Sequence, residues 1–208
     1  MRNQYNQWMK KVYCREQNTP VGQVILGVEE GQLCLCDWKN SKRRMLNDNR
    51  IKRLLDAEFV DVTSLQYEPG ALIEEKSLKD AVAILDMTER ELAEYFAGSR
   101  KSFDIPLLLV GTDFQKSVWQ ALQEIPYGEV VTYMDVSQAI GNPQAIRAVS
   151  QAIGSNPLSI LIPCHRVVGS NGALTGYAGG IEAKQCLLEL ENGQEKGKKG
   201  ARKIINVW

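Results

Sequence analysis

Residues 160–168 read ILIPCHRVV and hold the side chains around which the chemistry of this chain is organised. A short apolar run leads into Pro163, which is followed by Cys164 and then by His165, the single histidine of the 208 residues. Because proline fixes φ and biases the preceding residue toward an extended conformation, the run predicts a buried strand that presents Cys164 at its end. A cysteine reacts as the thiolate, and with an ordinary pKa of about 8.5 it needs a base nearby.

His165 is the only imidazole that could act as this base, but its position next to Cys164 complicates the pairing. Successive side chains of an extended chain point to opposite sides. Either the backbone turns at Pro163, or a water molecule bridges the two side chains. The alternative interpretation is a buried, inert cysteine beside a surface histidine, which is common in proteins.

The composition is that of an ordinary soluble globular protein, with 44% apolar and 24% charged residues. No apolar run approaches the roughly 18 residues of a membrane span, and residues 1–7 contain no signal-peptide core, so we expect a cytoplasmic protein without membrane contact. The formal net charge of zero gives no overall attraction to nucleic acid.

The five cysteines form no CxxC pair, which favours reduced thiols. With a single histidine, the sequence predicts no metal site and no metal cofactor. Cys34 and Cys36 alternate in a strand-like run and are expected to share one face and to fill the core.

The first half of the chain predicts a small antiparallel sheet over residues 11–38. The basic and polar residues 39–56 could form a short helix or a loop. Ser77, with Asp80 as its capping-box partner, predicts the start of a helix that runs to about Ala97. No residue up to position 98 carries obvious chemistry, so this half is interpreted as scaffold.

The second half begins with helix-start signals of the capping-box type. Thr112 and Gln115 predict the start of one helix, and Thr132 with Asp135 predicts the start of a second, shorter one. Asn142 followed by a proline predicts a third helix that runs to about residue 153.

Two short helices joined by a Gly-Asn turn match the helix-turn-helix pattern, although an ordinary pair of antiparallel helices would look the same. Ala145 and Ala148 make the third helix small in profile, which suits both a groove floor and packing against protein. Residues 111–181 contain three basic and four acidic side chains, a net charge of −1 that neutralises phosphates poorly.

The predicted fold class is α+β. A scaffold domain with the sheet and helices spans residues 1–100, and a mostly helical domain with a winged-helix-like helix-turn-helix spans residues 101–193. Residues 194–208 form a basic tail.

Four segments resemble the O6-alkylguanine-DNA alkyltransferases. They are residues 111–119 (GTDFQKSVW), 125–133 (IPYGEVVTY), 162–168 (IPCHRVV) and 176–180 (GYAGG). The match runs from about residue 111 to 192, and the Pro-Cys-His-Arg block is highly specific. The first half resembles the family only loosely, and the zinc ligands of some members have no counterpart.

This resemblance implies DNA repair by direct, irreversible transfer of an alkyl group to Cys164. The group comes from O6 of guanine, and from O4 of thymine as well. The damaged nucleotide is flipped out of the duplex, because an O6 substituent inside the base stack cannot be reached in line by sulfur. The thioether product is not hydrolysed, so the protein acts once and needs no cofactor. The implied partner is double-stranded DNA carrying O6-alkylguanine, bound through the minor groove, and the protein is expected to be a monomer.

The resemblance also assigns catalytic roles. His165 takes the Cys164 proton through a water molecule and is oriented by Glu191, in the manner of a triad. Tyr133 binds guanine N3 and helps to neutralise the departing base. Asn156 braces the active-site turn.

Substrate and DNA contacts follow from the same resemblance. Ile153 is expected to form a pocket wall, while Val167 and Ala178 offer backbone groups to the base. Arg147 is the finger inserted where the nucleotide was extruded. Three further residues of its helix are expected to face DNA: Ala145, Ala148 and Gln151.

Two other functions remain open at this stage. A non-catalytic binder of alkylated DNA would lack the acceptor cysteine, which is present here as Cys164. A cysteine hydrolase or redox enzyme would leave the helix-turn-helix pattern unexplained and would lack the usual distant histidine.

Overall fold

The computed structural model describes residues 9–65 and 72–193. The predicted basic tail, residues 194–208, lies outside the described residues. No helix in the described ranges is long and apolar enough to cross a membrane.

The first half is built on a four-stranded sheet in the order β3-β2-β1-β4. Its strands are β1 (Lys10–Thr19), β2 (Gly22–Glu29), β3 (Gln32–Trp38) and β4 (Ala57–Asp61). The first three are antiparallel neighbours, which confirms the predicted sheet. The parallel pairing of β4 with β1 was not predicted, because it needs a crossover and leaves no local turn signal.

Two helices accompany this sheet. The basic segment after β3 forms α1 (Arg44–Leu55), which makes the crossover to β4. The next helix, α2, spans Leu72–Phe96, so the predicted start at Ser77 is wrong. Ser77 lies inside the helix, because the preceding residues are good helix formers and include two glutamates suited to a first turn.

The second half adds four helices and one short parallel strand pair. They are α3 (Asp113–Gln123), β5 (Val131–Thr132), α4 (Tyr133–Ala139), α5 (Ile146–Gly154), β6 (Val167–Val168) and α6 (Ile181–Glu191). The two capping boxes predicted for this half are both present, at Thr112 with Gln115 and at Thr132 with Asp135. The observed architecture therefore confirms the α+β class.

Helix α5 starts later than predicted. Its N-cap is Ala145, and the Asn142 carbonyl instead accepts a hydrogen bond from the Ala145 amide, which closes a turn before the helix. The predicted cap at Asn142 is therefore wrong, although α4 and α5 still pack as a short helix pair. The wing of the predicted winged helix stays a prediction.

The apolar run before Cys164 is a tight turn and not the predicted strand. Ile160 has a φ of +73°, a left-handed conformation that is rare for a β-branched residue. Cys164 then opens a short 3-10 turn, Cys164–Arg166. The backbone thus turns at Pro163, which is one of the two arrangements considered from the sequence for pairing Cys164 with His165.

One hydrophobic cluster runs through both halves of the chain, from Tyr13 and Trp38 in the sheet to Ile162 and Leu187 near the reactive segment. The domain boundary at residues 100 and 101 stays a prediction.

Cys34 and Cys36 are both buried, as expected, but they pack in different clusters. The strand irregularity opposite Gly27 and Val28 leaves Cys34 outside the pairing register, which breaks the alternation of faces.

Candidate active site

Cys164 lies at the start of the 3-10 turn with 6% of its surface exposed. The Nδ2 atom of Asn156 donates a hydrogen bond to its Sγ at 3.3 Å. The same Nδ2 donates to the Ile162 carbonyl at 3.0 Å, and Oδ1 of Asn156 accepts from the Leu158 amide at 2.9 Å. One amide side chain therefore ties both limbs of the turn to the sulfur.

His165 is the middle residue of this turn, is fully buried, and contacts the carboxylate of Glu191. Its Nε2 lies 2.8 Å from Oε1 of Glu191. Because an ionised carboxylate only accepts hydrogen bonds, Nε2 carries the proton and Nδ1 of the neutral ring has a free lone pair. Nδ1 is buried and has no hydrogen-bond partner among the described residues.

Glu191 is the last residue of α6 and accepts five hydrogen bonds from four residues. Arg166 donates two of them, from Nε at 2.9 Å and from Nη2 at 3.0 Å. The Tyr95 hydroxyl donates at 2.7 Å and the Gly128 amide at 3.1 Å. The unfavourable position of a carboxylate at a helix C-terminus is thus offset by specific donors.

The electrostatics of this carboxylate keep it ionised. Burial alone would raise the pKa of Glu191, but the hydrogen bonds from His165 and Arg166 and the positive charge of Arg166 hold that pKa well below its ordinary value. Burial lowers the pKa of His165, and this outweighs the attraction of Glu191, so the imidazole is neutral at physiological pH. The pair therefore consists of a carboxylate and a neutral histidine, which is the protonation state of a general base.

The Cys164 thiol is protonated in the resting protein. Burial raises its pKa to about 11, against the opposing effects of the Asn156 hydrogen bond and the positive charge of Lys184. Since the thiolate is the nucleophile, a reaction at this sulfur requires removal of the proton during the reaction itself. His165, next to it in the chain, has the free nitrogen for this purpose.

A pocket of about 700 Å³ opens beside these residues. Tyr133, Ile153 and Ala178, three of the predicted substrate contacts, all lie in its wall, together with Trp38 and Tyr177. Cys164 does not line the pocket. Tyr177 does, and its ring lies 6.3 Å from that of His165 between centroids.

Val167, the other predicted substrate contact, is fully buried. Its carbonyl accepts a hydrogen bond at 2.6 Å from Nζ of Lys184, which also donates to the Thr175 carbonyl at 2.9 Å.

The predicted DNA contacts lie on or next to α5. Arg147 and Ala148 are exposed on α5, and Ala145 is half-buried at its N-cap. Gln151 is exposed and its Oε1 accepts a hydrogen bond from Nη2 of Arg43 at 2.9 Å. The helix therefore presents Arg147, Ala148 and Gln151 to solvent, and Gln151 also lines the pocket.

Comparison with known proteins places this arrangement in a family. A family model described as 6-O-methylguanine DNA methyltransferase, DNA binding domain, matches residues 113–193. A constitutive methylated-DNA–protein-cysteine methyltransferase of Bacillus subtilis is 54% identical over 185 residues, which cover 86% of this chain and 94% of that protein. This chain belongs to the methylated-DNA–protein-cysteine methyltransferase family.

Other members of the family match different shares of the chain. A Methanosarcina acetivorans member is 59% identical over 102 residues, which is 49% of this chain and 65% of that protein. The match thus spans just under two thirds of this archaeal relative. The crystal structure of Mycobacterium tuberculosis OGT in complex with DNA shares 37% identity and a TM-score of 0.66, covering 87% of this chain and 93% of that one.

Three residues that form hydrogen bonds in this site were not predicted from the sequence. Arg166 is part of the Pro-Cys-His-Arg block, and its two donors facing Glu191 could have been suspected from that position. Tyr95 and Lys184 carry no local signal, because each reaches the site from a distant helix.

No group of acidic, cysteine or histidine side chains suited to a metal ion occurs among the residues that the structure describes. The sequence-based expectation that the protein uses no metal and no cofactor stays a prediction.

Proposed function

We propose that this protein repairs DNA by transferring an alkyl group from O6 of guanine, and from O4 of thymine, to the sulfur of Cys164. The observation that carries the proposal is the arrangement in which Asn156 binds the sulfur while the neighbouring His165 keeps Nδ1 unpartnered and Nε2 on Glu191. Family membership and the DNA complex of the M. tuberculosis relative support it.

In the proposed reaction the Cys164 proton passes to Nδ1 of His165 through a water molecule. The thiolate attacks the alkyl carbon, the carbon–O6 bond breaks, and its electron pair leaves with the guanine. Glu191 stabilises the imidazolium that forms. The guanine anion then takes up a proton from solvent while the imidazolium releases the Cys164 proton, so the net change converts a thiol and an O6-alkylguanine into a thioether and guanine.

The leaving base needs charge neutralisation, because a guanine anion is a poor leaving group. Tyr133 is the proposed donor to guanine N3, and its position in the pocket wall at the start of α4 supports this role. Ile153 would flank the base, and the backbone of Val167 and Ala178 would bind its edge.

On the DNA side, we propose that α5 enters the minor groove of the duplex. Arg147, exposed on that helix, would fill the space of the extruded nucleotide, and the small Ala145 and Ala148 would allow close approach. Gln151 would contact the DNA near the edge of the pocket. The protein is proposed to act in the cytoplasm as a monomer.

The test is an intact-mass measurement after incubation with O6-benzylguanine. We expect the gain of one benzyl group, located on Cys164 by peptide mapping. Cys164→Ala should show no gain, whereas Cys186→Ala, which removes an exposed thiol, should react like the unaltered protein. An unaltered protein that gains no mass would contradict the transfer, and release of product without a mass gain would indicate a hydrolase.

A further inference from the structure

The turn between β3 and α1 brings two cations, Lys42 and Arg43, to the mouth of the pocket. We propose that these two side chains bind the phosphodiester groups that flank the extruded nucleotide. The inference rests on the proposed function and extends it, because it assigns a DNA contact to the half of the chain that was interpreted as scaffold.

The second half of the chain has a deficit of positive charge. Residues 111–181 carry a net charge of −1, yet duplex DNA is bound mainly through neutralisation of its phosphates. On α5 itself, Arg147 is the only cation. If Arg147 fills the place of the extruded base, the phosphates beside that base need partners from elsewhere.

Lys42 and Arg43 also lie close to the pocket and to α5. Lys42 and Arg43 line the same pocket as Tyr133 and Ile153. Nη2 of Arg43 donates to Oε1 of Gln151 at 2.9 Å, so the guanidinium already lies against α5. A nucleotide that enters the pocket beside α5 brings its two backbone phosphates to this rim.

Lys42 and Arg43 differ from the neighbouring cations in the partners of their charges. The neighbouring cations are paired, Lys39 with Glu16 at 2.7 Å and Arg44 with Asp48 at 2.6 Å. In the described part of the chain, neither Lys42 nor Arg43 forms an ion pair with a carboxylate.

The pocket wall also contains no acidic residue. One carboxylate lies close to this wall, because Oε2 of Glu182 would be 3.4 Å from a Cβ added at Gly180. A pocket mouth with two unpaired cations suits an anionic ligand, and a guanidinium can bind a phosphate through two parallel hydrogen bonds.

The experiment compares two substrates, a duplex oligonucleotide carrying O6-methylguanine and free O6-benzylguanine, which has no phosphate. The second-order rate of Cys164 alkylation is measured at several NaCl concentrations for Lys42→Gln, Arg43→Gln and Arg43→Lys. Arg53→Gln is the matched control, because Arg53 is an exposed cation of α1 outside the pocket.

For Lys42→Gln and Arg43→Gln we expect about a threefold slower reaction with the duplex at moderate salt. The slope of log rate against log salt should fall by about 1 for each cation removed. The reaction with free O6-benzylguanine should keep its rate. Arg43→Lys should retain the salt slope, and Arg53→Gln should match the unaltered protein in every measurement.

Three results would overturn the inference. The rates and slopes with the duplex could be unchanged, the free base could slow as much as the duplex, or Arg53→Gln could show the same loss, which would indicate general attraction by surface charge. Failure of the proposed function can be told apart from failure of this inference. In that case neither substrate would alkylate Cys164 of the unaltered protein.

Discussion

The hydroxyl of Tyr95 donates a hydrogen bond to the carboxylate of Glu191 across 2.7 Å, although 96 positions separate the two residues. Tyr95 lies near the end of α2, in the half of the chain that the sequence analysis interpreted as scaffold, and is fully buried. Burial and the charge of Glu191 raise the pKa of Tyr95, so its hydroxyl stays a donor at every physiological pH.

Replacement of Tyr95 by phenylalanine removes this donor and leaves the ring in place. We expect the free energy of unfolding to fall by about 1.5–3 kcal/mol, the range for hydrogen bonds to charged groups. Urea denaturation at pH 7 measures it. Thr88→Val is the control, since it removes another buried hydroxyl of α2 that donates only to the Ile84 carbonyl. Equal losses in the two variants would contradict a special role of the Tyr95 contact.

The ion pair of Glu191 predicts that acid destabilises the protein. The pKa of Glu191 is lower in the folded protein than in the unfolded chain. The contribution of Glu191 to the free energy of unfolding is therefore complete above the unfolded-state pKa, and it is lost as the pH falls through about 5 toward the folded-state pKa. The lowered pKa of His165 acts in the same direction, since the unfolded chain takes up a proton below about pH 6.5 while the buried ring stays neutral.

Glu191→Gln tests this dependence. At pH 7 we expect a loss of about 3–5 kcal/mol, because Arg166 loses its buried counter-charge. The difference from the unaltered protein should narrow as the pH falls from about 5 to about 3 in urea denaturation. Glu189→Gln, which removes an exposed carboxylate of the same helix, should leave the pH profile unchanged. A constant difference across this range would refute the linkage.

Asn156→Ala removes the donor that stabilises the Cys164 thiolate. The thiol pKa, which burial has already raised to about 11, should rise further, and the reaction with O6-benzylguanine at pH 7 should slow by about fivefold or more. Asn192→Ala is the control, because its side chain donates to the Leu188 carbonyl. The proposal would fail if the two variants reacted equally fast while both remained folded.

Gly179 predicts a steric effect on the pocket. A Cβ at this position would lie 2.5 Å from the nearest indole atom of Trp38, a ring that is itself buried. We expect Gly179→Ala to cost about 1–3 kcal/mol, measured by denaturation, with part of the loss recovered in combination with Trp38→Phe. Gly154→Ala should be tolerated, because its Cβ would meet Arg43 at an ordinary 3.5 Å. Independent, additive effects of Gly179→Ala and Trp38→Phe would contradict the clash.

Local signals in the sequence were sufficient where the structure depends on neighbours in the chain. The capping boxes at Thr112 and Thr132 are both formed, and the turn-forming residues correctly predicted the three antiparallel strands. The early start of α2 and the late start of α5 show the limit of such signals. A residue that can cap a helix does so only when the preceding or following backbone does not already form a turn or a helix of its own.

The rest of the site depends on contacts between distant segments, which a single sequence does not display. Ile160 adopts its left-handed conformation because the surrounding turn is held by Asn156 and buried packing, and not because of its own preference. The contacts of Tyr95 with Glu191 and of Arg43 with Gln151 likewise follow from the docking of one half of the chain on the other.

The hydrogen bonds to Glu191 have a consequence for synthesis on the ribosome. Its donors come from α2, from the turn after α3 and from the Cys164–Arg166 turn, while the carboxylate itself ends α6. During synthesis Cys164 leaves the ribosome before α6, which carries the Glu191 carboxylate that orients His165. If the protein acts only once, as proposed, Cys164 would gain its full reactivity only after synthesis has passed α6.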